Sequence, residues 1–166
     1  GYGLEANADS MLAVGTINIT ATGNGAHSFY LHGTGGKVSS ASAVTISATS
    51  GTWGLTMYDN TFIQSTGGNV SITSNGTSGG LCMSTTGGIY ASSNTASPTA
   101  TPTAGGAISI TATGVSSYGT EIASGSLISF GEILLTTSSS GLESLYLYGS
   151  GTVRSVGNFT LIGSTS

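Results

Sequence analysis

Charge is the scarcest feature of this 166-residue chain. Its two cations are Lys37 and Arg154, and its six anions are Glu5, Asp9, Asp59, Glu121, Glu132 and Glu143. Two cations cannot track a phosphate backbone, so nucleic acid is excluded as a partner. The same shortage argues against electrostatic docking on anionic lipid. No apolar run approaches the ~18 residues of a spanning helix, so membrane insertion is not expected. Gly1 to Val14 also lacks the basic-then-apolar order of a secretory leader. That stretch already fits the repeat described below, which makes the chain a mature product or a piece of something longer.

Chemistry-bearing residues are equally sparse. Cys82 is the single cysteine, so no internal disulfide forms and cysteine usage does not set the compartment. One cysteine with His27 and His32 does not make a zinc set, and the calcium-binding Gly-Gly-x-Gly-x-Asp nonapeptide is missing. No metal and no cofactor is therefore expected. What the chain has instead is 28 glycines and about one-third Ser and Thr. Its apolar residues are spread in short alternating groups, which points to folded β-structure rather than a disordered polar chain.

Six segments look alike: GTINITA from Gly15, SAVTISA from Ser42, GNVSITS from Gly68, GAISITA from Gly106, GEILLTT from Gly131 and GNFTLIG from Gly157. Their first apolar positions are Ile17, Val44, Val70, Ile108, Ile133 and Phe159, at intervals of 27, 26, 38, 25 and 26 residues. Two residues on stand Ile19, Ile46, Ile72, Ile110, Leu135 and Leu161. A second kind of segment supplies the columns Leu4, Phe29, Leu55, Leu81, Thr120, Leu145 and Ala6, Leu31, Met57, Met83, Ile122, Leu147. A third supplies Met11, Val38, Ile63, Ile89, Leu127 and Val153, each followed two residues later by Ala or Ser.

The period within every segment is 2, which is strand spacing. Fold class follows: all-β, a parallel β-solenoid with three short strands per coil, about 25–26 residues per coil and six coils. The whole of 1–166 is one solenoid domain. Glycine opens the first strand in most coils, where a sharp bend with positive φ is expected. The single long interval holds the Pro/Thr/Ser-rich stretch 92–105, read as an exposed loop insertion.

Alternation also assigns the outward positions. The second strands expose Tyr30, His32, Tyr58, Tyr146 and Tyr148, the candidate contact surface, with Trp53 and Tyr118 comparably placed. Cys82 also falls outward, between Leu81 and Met83, as a surface thiol. Glu5 and Glu121 share one outward column but stand four coils apart, roughly 19 Å. Glycan-cleaving β-helices need clustered carboxylates, or a carboxylate-bound cation beside a base, so the chain is read as no enzyme. At the ends, Leu4 and Ala6 on one side and Phe159 and Leu161 on the other make the candidate end-to-end interface.

The pattern G-x-[VI]-x-[IL]-T-[AS], then G-[LF]-x-[LM], then a short third strand resembles the repetitive shafts of filamentous-haemagglutinin-like and autotransporter bacterial adhesins. The resemblance implies a right-handed parallel β-helix, export to the bacterial cell surface, and a stalk or adhesive role. The Asn-Pro-Asn-Gly type of two-partner secretion signature is missing, so any secretion domain lies outside these residues. Expected partners are further copies or flanking repeats stacked end to end, with surface glycans or cell receptors at the aromatic face. A self-assembling filament subunit is the alternative. An ice- or surface-binding solenoid using the Ser/Thr face of the first strands ranks behind both, because that ladder is irregular.

Overall fold

The computed structural model describes residues 1–93 and 103–166, the Ser50 side chain excepted. Every regular element is a strand. β1 (Leu4–Asn7), β2 (Ser10–Ala13) and β3 (Ile17–Thr22) begin the winding. β4 (His27–His32), β5 (Lys37–Ser40), β6 (Val44–Asp59), β7 (Phe62–Ser65), β8 (Val70–Thr85) and β9 (Gly88–Ala91) continue it. After the insertion come β10 (Ile108–Gly114), β11 (Thr120–Ile122), β12 (Ser126–Ser129) and β13 (Ile133–Ser139). β14 (Leu145–Leu147), β15 (Thr152–Ser155) and β16 (Phe159–Thr165) close the stack. All pairings are parallel, and the chain winds as a β-solenoid of about six turns.

Register follows the repeat residue by residue. Ile17 pairs with Val44, Val44 with Val70, Val70 with Ile108, Ile108 with Ile133 and Ile133 with Phe159. Leu4, Phe29, Leu55, Leu81, Thr120 and Leu145 form one ladder on the second side. Met11, Val38, Ile63, Ile89, Leu127 and Val153 form another on the third. Each inward column is thus a file of apolar side chains, and Phe29, Leu55, Ile63, Leu81, Ile89 and Ile108 are fully buried. Burying each such side chain contributes roughly 1.5–3 kcal/mol.

Two expectations change. The three strands per coil are not separate everywhere: β6 and β8 each run 16 residues through the first corner, with register shifts between Thr49 and Gly51 and between Gly51 and Trp53. A bulge lets the chain bend there while keeping its ladder bonds. The first and second sides therefore share a ten-stranded sheet, and the third side is a six-stranded sheet.

The glycines that open the first strands do not carry the expected positive φ. Except at Gly15, which faces open space, their role is close approach: a Cβ on Gly68 would stand 2.7 Å from the Ser42 carbonyl oxygen. Positive φ occurs instead mostly beyond the second strand, at Gly33 (81°), Gly35 (89°) and Gly149 (80°) and in the non-glycine residues Ala8 (55°) and Asp59 (61°); Gly105 (138°), just before Gly106, is the exception among the described residues.

The small residues of the third strands are a bonding ladder. Ser40 Oγ donates to the Gly15 carbonyl at 2.6 Å, Ser129 Oγ to Gly106 at 2.7 Å and Ser155 Oγ to Gly131 at 2.6 Å. Ser65 donates likewise to Ser42. Each bond reaches the corner of the preceding coil, so the hydroxyls reinforce the backbone bonds that link the turns there, such as Gly131 N–H to the Gly106 carbonyl at 2.8 Å. Most of the insertion, 94–102, lies outside the described residues, and the expectation of an exposed arm falls there. Its base is described: the Ser93 N–H donates to the Ala104 carbonyl at 3.0 Å.

Candidate functional site: the outer face of the second strands

Inward packing of Leu4, Phe29, Leu55 and Leu81 turns the residues between them outward. The central outward column reads Glu5, Tyr30, Thr56, Cys82, Glu121 and Tyr146. The structure brings Tyr30, His32 and Tyr58 together and adds two residues that were not anticipated, Tyr2 and His27. Tyr30 is sandwiched between imidazoles, with His27 at 4.6 Å and His32 at 4.1 Å between ring centroids, both stacked. Tyr2 stacks on His27 at 5.6 Å and on Tyr30 at 5.2 Å, while Tyr58 meets Tyr30 edge to face at 5.9 Å. Tyr2 lies two residues before the inward Leu4, so alternation alone turns it inward; its exposure follows from its place ahead of the first strand.

Tyr146 and Tyr148 lie elsewhere. They pack on each other at 4.8 Å, and Tyr118 stacks on Tyr146 at 4.9 Å. Four ladder steps separate Tyr30 from Tyr146, roughly 19 Å. The aromatic surface is therefore two clusters. In the first, both faces of Tyr30 are already occupied by imidazoles, so its ring offers a partner mainly its hydroxyl edge.

Polar side chains run between the clusters. His32 Nε2 lies 2.8 Å from Glu5 Oε1, and His27 Nδ1 lies 2.8 Å from Thr56 Oγ1. At the other end the Tyr148 hydroxyl donates to Glu121 Oε1 at 2.8 Å. That bond, more than burial, holds the Tyr148 proton and pushes its pKa up to about 12. Burial, and then the neighbouring Cys82, push Tyr58 up to about 12. Burial lowers the pKa of His27, with the charge of His32 adding to it.

Cys82 faces outward as expected, but it is not a surface thiol. It is 5% exposed, in contact with Tyr58 and Glu121, and burial followed by the Glu121 charge raises its pKa to about 12. A thiol so protonated is a poor nucleophile and a poor crosslinker. Among the described residues, no group of three or more His, Cys, Asp or Glu gathers in a way that could hold a metal ion.

A groove opens beside Tyr58 at the second corner. It is a shallow, open depression of about 460 Å³, and its walls include Thr34, Tyr58, Asp59, Asn60, Ser84, Thr86 and Ser124. At the ends of the stack the candidate interface residues differ. Ala6 is 2% exposed and Leu4 half-buried, whereas Phe159 is 48% and Leu161 46% exposed. Ala6 is too short to reach past its own coil. Leu147 and Val153 join Phe159 and Leu161 on the exposed apolar rim. No family model, curated protein or solved structure matches the chain.

Proposed function

We propose that the chain is a structural and adhesive segment of an extracellular bacterial surface protein, a stretch of adhesin stalk whose end coils stack on further coils of the same kind. The observation that carries this reading is the unbroken register: the same inward columns run through every coil and end in apolar side chains. Phe159, Leu161, Leu147 and Val153 form a rim that a following coil would cover, each large side chain contributing roughly 1.5–3 kcal/mol when buried. The sparse charge fits a rod held by ladders and burial rather than by ion pairs. The resemblance of the repeats to adhesin shafts supplies the compartment.

A second reading, separate copies joined into a filament, draws on the geometry of the ends. β14, β15 and β16 occupy the same three sides at one end as β1, β2 and β3 at the other. Stacking one copy on the next would set Leu145 over Leu4, Val153 over Met11 and Phe159 over Ile17, one strand spacing apart. Electron microscopy of the purified chain beside Leu161→Lys tests both readings. Axial assemblies are expected from the parent, and their loss from the variant with an unchanged circular dichroism spectrum. A parent that stays monomeric at high concentration, with no flanking repeats in its gene, removes both readings.

A further inference from the structure

The groove at the second corner has the chemistry of a sugar site. We propose that it binds a neutral hexose unit of a glycan, with Tyr58 as the platform and Asp59 as the principal hydrogen-bond acceptor. The biological meaning of such a ligand rests on the adhesive reading above; the binding itself does not.

Size and composition argue together. About 460 Å³ falls within the roughly 300–1,000 Å³ typical of small-molecule sites. Four successive coils build the walls: Thr34 from the first, Tyr58, Asp59 and Asn60 from the second, Ser84 and Thr86 from the third, Ser124 from the fourth. Every one of these ends in a hydroxyl, an amide or a carboxylate, and Tyr58 adds an aromatic ring. A pyranose presents matching hydroxyls around its ring and an apolar C–H face, which an aromatic side chain covers.

Charge decides between ligand classes. Asp59 is the only ionisable acid or base among the walls apart from the phenol of Tyr58, whose raised pKa keeps it neutral. An anion such as phosphate would meet a carboxylate and no cation. A divalent cation needs several oxygen ligands of which carboxylates are the usual core, and none cluster here. A neutral polyol remains.

The Asp59 side chain is held in place by its corner. Its backbone sits in the left-handed region at φ 61°, the conformation that Ala8 (55°), Gly33 (81°) and Gly149 (80°) take at the matching corners of other coils. The conformation is held by Thr86 N–H and Thr85 Oγ1 donating to the Asp59 carbonyl at 2.8 and 2.6 Å. One carboxylate oxygen, Oδ2, accepts from Gly33 N–H at 2.8 Å. That bond orients the side chain and leaves the carboxylate a second acceptor oxygen. The carboxylate is thus fixed in the wall of the groove before any ligand arrives.

Saturation-transfer NMR with the methyl glycosides of glucose, galactose, mannose and N-acetylglucosamine tests the site on the parent chain. At least one should receive saturation, and Asp59→Gly should abolish the transfer while keeping the parent melting temperature. Asn60→Ala, which leaves the corner backbone alone, should weaken binding at least tenfold and serves if Asp59→Gly misfolds. Silence from all four sugars, or transfer that survives both substitutions, overturns the proposal. Because these positions lie far from the end coils, a parent chain that assembles axially but binds none of the four sugars sinks this inference alone. Assembly lost in the parent with sugar bound sinks the stacking reading alone.

Discussion

Ser129 Oγ donates to the Gly106 carbonyl, 2.7 Å away and one coil earlier, and reaches the Glu132 carbonyl of its own corner at 3.1 Å. One buried hydroxyl thus adds to the backbone bond that already joins the two turns, Gly131 N–H to the Gly106 carbonyl at 2.8 Å. Ser129→Ala removes the hydroxyl donor while the Gly131 N–H still serves that carbonyl, at a cost of about 0.5–1.5 kcal/mol. Thermal melts should show a drop of roughly 2–4 °C per kcal/mol for a chain this size. An unchanged melting temperature would make the serine ladder incidental.

Leu81 and Cys82 are neighbours with opposite roles. Leu81 is fully buried in the apolar file between Leu55 and Thr120, while Cys82 lies on the outer face beside Tyr58. Leu81→Asp buries an unpaired charge and should destabilise the stack by several kcal/mol. Cys82→Ser keeps a small polar group in place and should change stability by less than about 1 kcal/mol. Equal losses in urea melts of the two variants would contradict the assigned register.

Thr120 is the polar member of an otherwise apolar column, paired with Leu81 on one side and Leu145 on the other. Its buried Oγ1 has no hydrogen-bond partner among the described residues. Thr120→Val keeps the shape and removes the desolvated hydroxyl, so stability should rise by about 1–2 kcal/mol. A lower melting temperature for this variant would reveal a partner for the hydroxyl.

Alkaline pH should loosen the molecule through Tyr58 and Cys82. Burial raises their pKa values from 10.0 and 9.0 respectively to about 12. Between pH 9 and 12 the folded chain keeps protons that the unfolded chain has released, so unfolding free energy falls as pH rises. The stability is fully present below pH 9 and lost as pH approaches 12. Melting temperature followed from pH 8 to 11.5 should decline, and the decline should be shallower in the Tyr58→Phe/Cys82→Ala double variant. Parallel curves would show that other groups dominate.

Alternation was enough to read the columns. Each of the apolar files from Ile17 to Phe159, Leu4 to Leu145 and Met11 to Val153 pairs as the spacing of 25–27 residues indicated, and the longer interval only skips the insertion. Period 2 carries inside and outside, and like residues stack because a parallel coil repeats its surroundings. Hydrogen-bond direction is not carried that way. Ser40 and Ser129 read merely as small because their acceptors, Gly15 and Gly106, are 25 and 23 residues away and act through backbone carbonyls. The thiol of Cys82 read as exposed for a similar reason: alternation tells which face a residue takes, not that Tyr58 and Glu121 from adjoining coils crowd it. The groove was equally hidden, since its walls combine four coils and a corner whose backbone geometry alternation does not describe.

Neighbouring coils are bonded along the stack, so tension between the two ends pulls the ladder bonds along their own direction rather than across it. Bonds loaded in that way open in sequence from an end coil instead of failing together. A coil such as that from Ile108 to its ladder partner Ile133 releases 25 residues when it peels, roughly 80 Å of extended chain. The molecule therefore yields to force in steps, doing work against the load at each one, while the coils beyond the break keep their register until the strain reaches them.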